Sequence, residues 1–357
     1  MNKVCSFLLV MVMMLSGCSL FEKKDEGIEG DEVVVTQQPN VEVMAQKLQV
    51  PWSIDKVNQA FYISERTGSI VKIENGKTER QSVHLTQPLA KAAEAGLLGF
   101  VLDPQFLENK KAYAYYTYSG DGKGQFNRVV VLRTNGSVWT EERILLDRIP
   151  SAAYHHGGRL KIGPDELLYI TTGDATTPET AQDVNSINGK ILRMKLDGTV
   201  PADNPFSNSY VYSYGHRNPQ GLVWVGNTLY ASEHGQSAHD EINRIFPGAN
   251  YGWPVIQGNE QKTGMVTPLY QSGDETWAPS GLAAVDGKLY AATLRGNAVR
   301  EFGLNQKQTR SVVTGLGRIR DLYIDGGYLY FVSNNTDGRG NPDENDDKLY
   351  RVLLRDL

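Results

Sequence analysis

The chain has 357 residues, 40% of them hydrophobic, with 36 lysines and arginines against 41 aspartates and glutamates and a formal net charge of −5. This slightly acidic chain has no basic stripe, which argues against a nucleic-acid-binding protein. It contains only two cysteines, so a disulfide-rich scaffold is excluded.

The first 17 residues have the pattern of a secretory signal peptide. Lys3 precedes an apolar run that is too short to span a bilayer as a stable helix. The following Leu-Ser-Gly-Cys at 15–18 resembles a bacterial lipobox, in which cleavage precedes the cysteine and the cysteine receives the lipid. We therefore expect Cys18 to be lipidated and to anchor the protein to the extracytoplasmic face of the cell membrane. Cleavage would also remove Cys5, the only possible disulfide partner.

Two further segments follow the signal peptide. Residues 18–40 are highly charged and have few apolar side chains to bury, so we expect a lipidated cysteine followed by a flexible tether. Residues 41–357 exceed the usual size of a domain, but closed all-β folds often reach this length as one unit. We therefore expect a single folded domain over 41–357.

A short strand pattern with tyrosine in second place recurs along this domain. Close copies lie at 61–64, 168–171, 229–232, 289–292 and 329–332, with a looser one at 112–116. Second strands are predicted after five of them, at 69–73, 190–194, 241–245, 298–302 and 348–352. Tyrosines, valines and turn dipeptides interrupt every window of helical periodicity. Six such units predict an all-β protein, a six-bladed β-propeller with four-stranded blades.

The repeat also predicts where chemistry is concentrated. Equivalent strands point the same way around the propeller axis, so the polar residues that follow them should converge on one face. Asp174, His234, Arg295 and the loop around Asn334 would then share one funnel, although up to 160 positions separate them in sequence. A shared fold does not by itself establish a function.

The stretch from His155 to Asp174 combines two neighbouring histidines, a Gly-Gly pair and a strand that ends in Gly-Asp. We expect Asp174 to fold back towards His155, to fix its tautomer and to raise its basicity, as a carboxylate does for a general-base imidazole. The alternative is a β-hairpin whose histidines only cap a loop.

Arg217 lies in a dense polar stretch, residues 212–221, just ahead of another predicted strand. Its rigid fork of donors could polarise a carbonyl group or hold a carboxylate. The alternative is an arginine that bridges two blades.

Two nearby segments, residues 235–241 and 248–254, combine carboxylates with turn-forming residues that expose backbone carbonyls. Such hard oxygen ligands suit calcium. The alternative, which the spacing alone favours, is a solvated turn.

Arg318 and Arg320 lie on one face of a predicted strand because side chains alternate with a period of two. Two guanidinium groups side by side repel each other unless an anion lies between them, so this pair favours an anionic ligand. The acidic segment 334–347 that follows is interpreted as a solvated loop, with a second cation site as the alternative.

Together these stretches resemble the quinoprotein sugar dehydrogenases, the soluble glucose and sorbosone dehydrogenase family of six-bladed propellers that use pyrroloquinoline quinone (PQQ). The resemblance covers nearly everything after residue 45, and the ordered set of motifs is specific although no single one is decisive. The matching segments are Gly96-Leu97-Leu98-Gly99-Phe100, His155-x-x-Gly158-Arg159-Leu160, 169–174, 215–221, 240–243, 250–254, 278–281 and Arg318-x-Arg320-Asp321.

The resemblance implies a PQQ- and calcium-dependent oxidoreductase that oxidises an aldose and passes electrons to a membrane or soluble acceptor. His155 would be the general base, and Asp174 would orient it. Arg217 and Asn218 would polarise the quinone oxygen that gains charge. The other implied ligands are Arg295, Arg318 and Arg320 for the cofactor's carboxylates, the carbonyls of Gly235 and Gln236 for the cofactor's calcium, and Glu241 and Tyr251 for a structural calcium ion.

One position departs from the family pattern. Just before Gly96 the family usually carries a glutamine in contact with the site, and this chain has Glu94. A carboxylate there would face a tricarboxylate cofactor, and such a repulsion costs roughly 1 to 4 kcal/mol at about 4 Å, unless arginines offset it or Glu94 turns outward. Two other functions stay open: a calcium-dependent hydrolase or lactonase, and a non-catalytic envelope module that binds sugar or protein.

Overall fold

The computed structural model describes residues 38–120, 122 and 124–357, so the predicted signal peptide, Cys18 and most of the tether lie outside the described residues. This part of the chain consists of 24 strands joined by loops. It contains one short α-helix, α1 (Phe106–Asn109), and two 3₁₀ turns, Pro178–Ala181 and Leu354–Asp356. No helix within it is long and apolar enough to cross a membrane. The predicted all-β class is confirmed.

The strands form one eight-stranded sheet and four four-stranded sheets. The large sheet consists of two successive antiparallel meanders whose outer strands, β5 and β9, pair in parallel. Its strands are β2 (Pro51–Val57), β3 (Ala60–Glu65), β4 (Ser69–Glu74), β5 (Lys77–His84), β6 (Leu97–Leu102), β7 (Lys111–Ser119), β8 (Gln125–Thr134) and β9 (Val138–Ser151).

The next three sheets are antiparallel meanders in chain order. They contain β10 (Leu160–Ile162), β11 (Leu168–Thr172), β12 (Lys190–Met194) and β13 (Val211–Tyr214); β14 (Pro219–Val225), β15 (Thr228–Glu233), β16 (Glu241–Ile245) and β17 (Tyr270–Gln271); and β18 (Pro279–Val285), β19 (Lys288–Thr293), β20 (Ala298–Gly303) and β21 (Thr309–Thr314).

The last sheet combines both ends of the described chain. Strands β22 (Ile319–Asp325), β23 (Tyr328–Ser333) and β24 (Leu349–Leu353) are completed by β1 (Glu42–Ala45), which pairs antiparallel with β24. The described residues therefore close through a pairing of their first and last strands.

Tight hairpins follow from the turn residues. Asn75-Gly76 joins β4 to β5 and Asp286-Gly287 joins β18 to β19, with φ angles of 50° and 73° in the first and 50° and 72° in the second. Two consecutive positive φ angles define the type I′ turn, whose twist matches that of the flanking strands. These dipeptides therefore set the register of the strands on either side.

The first strand of each meander packs against the first strand of the next, in the cyclic order β2, β6, β10, β14, β18, β22 and back to β2. Apolar side chains fill the space between neighbouring sheets: Tyr169 and Ile191 of one sheet, for example, cluster with Leu222 and Leu229 of the next. A propeller fold fits this arrangement of sheets around an axis.

Candidate active site

One edge of the sheets collects nearly all the polar residues singled out above. In each antiparallel hairpin, the start of the first strand lies beside the end of the second. His155 and Arg217 precede the first strands β10 and β14, whereas Asp174 and His234 follow the second strands β11 and β15. The expected convergence is therefore present, and a cavity of about 690 Å³ at this edge is lined by His234, Arg295, Arg318 and Asn335, among others.

His155 and Asp174 form the predicted pair. Nδ1 of His155 lies 2.7 Å from Oδ1 of Asp174, and 18% of the histidine side chain is exposed. Gly173 makes this approach possible, because a Cβ atom there would lie 1.9 Å from the carbonyl oxygen of His155. Nε2 of His155 makes no hydrogen bond to the described residues and is free to exchange a proton.

The carboxylate of Asp174 is held on both sides. Trp253 donates from Nε1 to Oδ2 at 2.9 Å, and the backbone amide of Thr176 donates to Oδ1 at 2.8 Å. The Asp174 side chain is only 1% exposed. A buried carboxylate with several donors keeps one orientation, so it fixes Nδ1 of His155 as the protonated nitrogen and Nε2 as the basic one.

Arg217 has unused hydrogen-bonding capacity and lines a smaller pocket together with His234, which also lines the cavity. Nη1 donates to the carbonyl of His234 at 3.3 Å, and the guanidinium carbon lies 5.3 Å from the ring centre of Trp253. Its buried Nε atom, like Nε2 of the buried His234, has no partner in the described part of the chain. Burial lowers the pKa of Arg217, and Asp174 and Glu233 oppose this effect. Neighbouring Asn218 accepts from the amide of Gly157 at 2.9 Å.

Arg318 and Arg320 lie side by side, but an internal anion already separates them. Asp337 accepts from Nη2 of Arg318 at 2.8 Å and lies 3.8 Å from Nη2 of Arg320. Burial lowers the pKa of Arg320 to about 9, and Asp337 opposes this effect. Repulsion between the two guanidinium groups is therefore weaker evidence for an anionic ligand, because Asp337 is already the counter-ion of Arg318. Arg295, by contrast, is exposed and makes no ion pair among the described residues.

The interpretation of 334–347 as a solvated loop is wrong for several of its residues. Asn334, Asn335 and Asp347 are buried, and the side chain of Asp337 is 1% exposed. Asp347 accepts hydrogen bonds from Ser333 and from the amides of Asn335 and Thr336, which anchors the loop to its own strand. Composition revealed the acidity of the segment but not the buried partners that its carboxylates have.

Glu94 lies at the same edge and is paired. Its Oε1 accepts from Nη1 of Arg339 at 3.0 Å, and its Oε2 accepts from the backbone amide of His155 at 3.1 Å. Burial disfavours the charged form, yet Arg339, His234, His156 and the His155 amide together lower the pKa of Glu94 to about 2. The carboxylate therefore stays ionised.

The predicted calcium ligands lie on neighbouring loops. The amide of Gly235 donates to Asp240 at 2.9 Å, which fixes the turn that carries the carbonyls of Gly235 and Gln236. Glu241 accepts from Asn243 at 3.0 Å and faces Glu233 on the adjacent strand, and burial together with Glu233 raises its pKa to about 8. The Tyr251 hydroxyl is engaged by Arg244 and Phe246, so only its backbone carbonyl remains as a ligand.

Side chains alone do not form a metal centre here. Within residues 38–357, so far as they are described, no three His, Cys, Asp or Glu side chains are grouped so that they could hold an ion. Any calcium site must therefore rely largely on backbone oxygens.

Four site residues were given no role by sequence reasoning: Trp253, His156, Asp337 and Arg339. Trp253 lies inside one of the segments that match the family, 250–254, so the sequence did contain an indication that it belongs to the site. His156 is 2% exposed, and its Nε2 is buried without a partner in the described chain. Asp337 and Arg339 lie in the acidic segment, where no local pattern distinguishes them from solvent-facing residues.

Several known proteins are similar to this chain over most or much of its length. Quinoprotein glucose dehydrogenase B of Acinetobacter calcoaceticus is 34% identical over 253 residues, covering 62% of this chain and 52% of that protein. Aldose sugar dehydrogenase YliI of Escherichia coli strain K12 is 30% identical over 338 residues, covering 84% and 91%. The PQQ-bound structure of aldose sugar dehydrogenase from Streptomyces coelicolor has a TM-score of 0.81 at 34% identity, covering 88% and 98%.

The family model described as glucose/sorbosone dehydrogenase matches residues 48–351, which include every strand from β2 to β23 and most of β24. The chain belongs to the glucose/sorbosone dehydrogenase family.

Proposed function

We propose that this protein is a PQQ- and calcium-dependent dehydrogenase that oxidises an aldose at its anomeric carbon, at the cell envelope. The observation that carries the proposal is the His155–Asp174 pair, whose contact is 2.7 Å and whose Nε2 has no partner among the described residues. A cavity at the same edge of the sheets is lined by Arg295, Arg318 and Arg339. A buried carboxylate behind an accessible imidazole is an arrangement suited to removing a proton from a hydroxyl group. The quinoprotein and aldose dehydrogenase relatives support the choice of reaction.

The residues present fit a polar, anionic cofactor such as PQQ. Nε of Arg217 and Nε2 of His234 are buried without partners, which is costly unless a ligand satisfies them. Arg295 and Arg318 line the adjoining cavity, and a guanidinium binds a carboxylate through two donors. Arg295, Arg318 and Arg320 would hold the cofactor's carboxylates, while Arg217 and Asn218 would contact its quinone group.

The bound quinone supplies the acceptor for the hydride that leaves the anomeric carbon. His155 accepts the proton of the anomeric hydroxyl at Nε2, and Asp174 stabilises the resulting imidazolium through Nδ1. Trp253 and Thr176 keep Asp174 in place throughout. Arg217 provides a fixed positive charge where negative charge develops, at no reorganisation cost during the reaction.

Calcium binding is proposed at two places. The carbonyls of Gly235 and Gln236 would ligate the ion that accompanies the cofactor. Glu241 and the carbonyl of Tyr251 would contribute to a structural ion. A cation there would let the neighbouring carboxyl groups of Glu233 and Glu241, which oppose each other on adjacent strands, both be ionised. Chelation should then lower both the affinity for the quinone and the melting temperature.

We further infer a six-bladed propeller over residues 41–357, attached by a tether from the lipidated Cys18 to the outer face of the cell membrane. The cyclic packing of six first strands supports the number of blades. The lipobox-like sequence at 15–18 supports the anchor. A membrane quinone or redox protein is the expected electron acceptor. Membrane fractionation of the wild type and of Cys18→Ala tests the anchor, since the variant should leave the membrane fraction.

The function is tested by titrating the purified full-length protein with PQQ at millimolar calcium and following the quinone absorbance. Dye reduction is then measured with a panel of aldoses. We expect tight, calcium-dependent binding and sugar-driven reduction. Absence of quinone binding would refute the proposal, and binding without sugar oxidation would leave only the cofactor assignment standing.

A further inference from the structure

Glu94 connects three separate parts of the site. It lies in the link between β5 and β6, it accepts from the amide that precedes β10, and it pairs with Arg339 in the link between β23 and β24. The partners are thus 61 and 245 positions away in sequence. Glu94 borders a narrow slot next to the main cavity, and Arg339 borders both the slot and the cavity.

The amide that Glu94 accepts belongs to His155, whose backbone has a φ angle of 62°. A left-handed conformation is unfavourable for a residue other than glycine and persists only when its surroundings enforce it. The carbonyl side of His155 packs against Gly173, and Glu94 holds the amide side at 3.1 Å. The imidazole is therefore oriented by Asp174 at its ring and by Glu94 at its backbone.

The backbone of Arg339 is also held in place. Its backbone amide donates to Oδ1 of Asp337 at 2.9 Å, and Oδ2 of the same carboxylate accepts from Arg318. Arg339 is 41% exposed and Glu94 20% exposed. A partly exposed ion pair of this kind contributes only modestly to the free energy of folding. Its effect should instead be electrostatic, at the border of the cavity.

We propose that Glu94 and Arg339 form a charge-neutral clamp that holds the backbone of His155 and cancels the repulsion that a carboxylate at position 94 would exert on the quinone's carboxylates. The inference rests on the proposed function. Arg339 thereby becomes a determinant of cofactor affinity, and Glu94 a positioning residue for the general base.

A double-mutant cycle tests the electrostatic part of the proposal, namely that Arg339 cancels the charge of Glu94. Arg339→Gln leaves the Glu94 charge unpaired, so the dissociation constant for PQQ, from the quinone absorbance, should rise at least about tenfold. Glu94→Gln keeps an oxygen for the His155 amide and frees the positive charge of Arg339, so affinity should equal or exceed that of the wild type. The double variant should lie within about threefold of the wild type, because both charges are gone.

The matched control is Arg351→Gln, which breaks the surface pair between Arg351 and Glu42 at 2.7 Å on another part of the protein. It should leave quinone affinity unchanged. An Arg339→Gln variant that binds PQQ as tightly as the wild type, or a double variant as weak as Arg339→Gln, would overturn the clamp. A wild type that binds no PQQ would instead refute the proposed function.

The other part of the proposal, that Glu94 positions the backbone of His155, is tested without cofactor. Backbone amide exchange at His155 should accelerate by about tenfold in Glu94→Ala and stay near the wild-type rate in Glu94→Gln, since only the alanine removes the acceptor. Equal exchange rates in the alanine variant and the wild type would overturn this role, whatever the result of the quinone titration.

Discussion

Two histidine–carboxylate pairs occur among the described residues and differ in what lies beyond the imidazole. In His155–Asp174 and His216–Glu233, Nδ1 lies 2.7 and 2.8 Å from the carboxylate oxygen, respectively. Nε2 of His216 is 2.8 Å from the hydroxyl of Ser213, which completes a hydroxyl, imidazole and carboxylate in the order of a nucleophilic triad. Nε2 of His155 has no partner among the described residues.

Solvent access separates the two pairs. Ser213 and His216 are 0% exposed, and the His216 ring stacks on Tyr251 with centres 4.7 Å apart, so no substrate reaches the hydroxyl. The His155 side chain, by contrast, is 18% exposed. A catalytic geometry is therefore insufficient evidence of catalysis, because the reacting atom must also be reachable. The buried pair instead supports the chain around Arg217, whose amide donates to Glu233.

The largest effect is expected at the accessible pair. His155→Ala should lower kcat by about 10² to 10⁴-fold, because the general base is lost, and should leave the dissociation constant for PQQ nearly unchanged. Steady-state dye reduction and quinone titration measure the two quantities. His84→Ala, at an exposed position, is the control. Retained turnover in His155→Ala would remove this residue from the mechanism.

The next effect concerns the carboxylate behind the base. Asp174→Asn keeps the shape of the side chain but removes the charge that stabilises the imidazolium, so kcat should fall at least about tenfold while the protein stays folded. An unchanged kcat would show that Asp174 is only structural.

A smaller and different effect is expected at the buried pair. Ser213→Ala leaves Nε2 of His216 without a partner, so the free energy of unfolding should fall by about 1 kcal/mol with kcat unchanged. Denaturant unfolding and steady-state kinetics separate these quantities. A fall in kcat comparable to that of His155→Ala would break the distinction between the two pairs.

The smallest expected effect is a pH dependence of protein stability that arises from Glu94. Because the pKa of Glu94 is lowered from 4.5 to about 2, its ionisation stabilises the fold above pH 4.5, and this contribution is lost as the pH falls towards 2. The wild type should therefore lose stability more steeply on acidification than Glu94→Gln. Thermal unfolding of both proteins over this pH window measures the difference, and parallel curves would contradict the lowered pKa.

Periodic features could be predicted from the sequence, whereas contacts between distant loops could not. The strand 190–194 was predicted with the bounds that β12 has, and 168–171 is one residue shorter than β11. Alternation and turn residues specify such elements locally. His155 and Asp174 are joined by a single hairpin, so their contact followed from the same local pattern.

The Glu94–Arg339 pair had no such signal, because its partners are 245 positions apart on two loops without periodicity. The sequence also contained no indication that Asp337 and Asp347 are buried. An acidic, turn-rich composition is the same whether its carboxylates face water or an arginine, and only the tertiary fold decides between them.

The pairing of β1 with β24 has a consequence for synthesis. Glu42 opposes Arg351 across this pairing, 309 positions later in the chain, and the two side chains form an ion pair at 2.7 Å. A nascent chain carries β1 without its partner until β24 has been synthesised, so the sheet that holds Arg320 and Asn334 is completed only after that point. The arginine side of the site is thus completed only after β24 has been made, so we expect the proposed quinone to bind only from that point on.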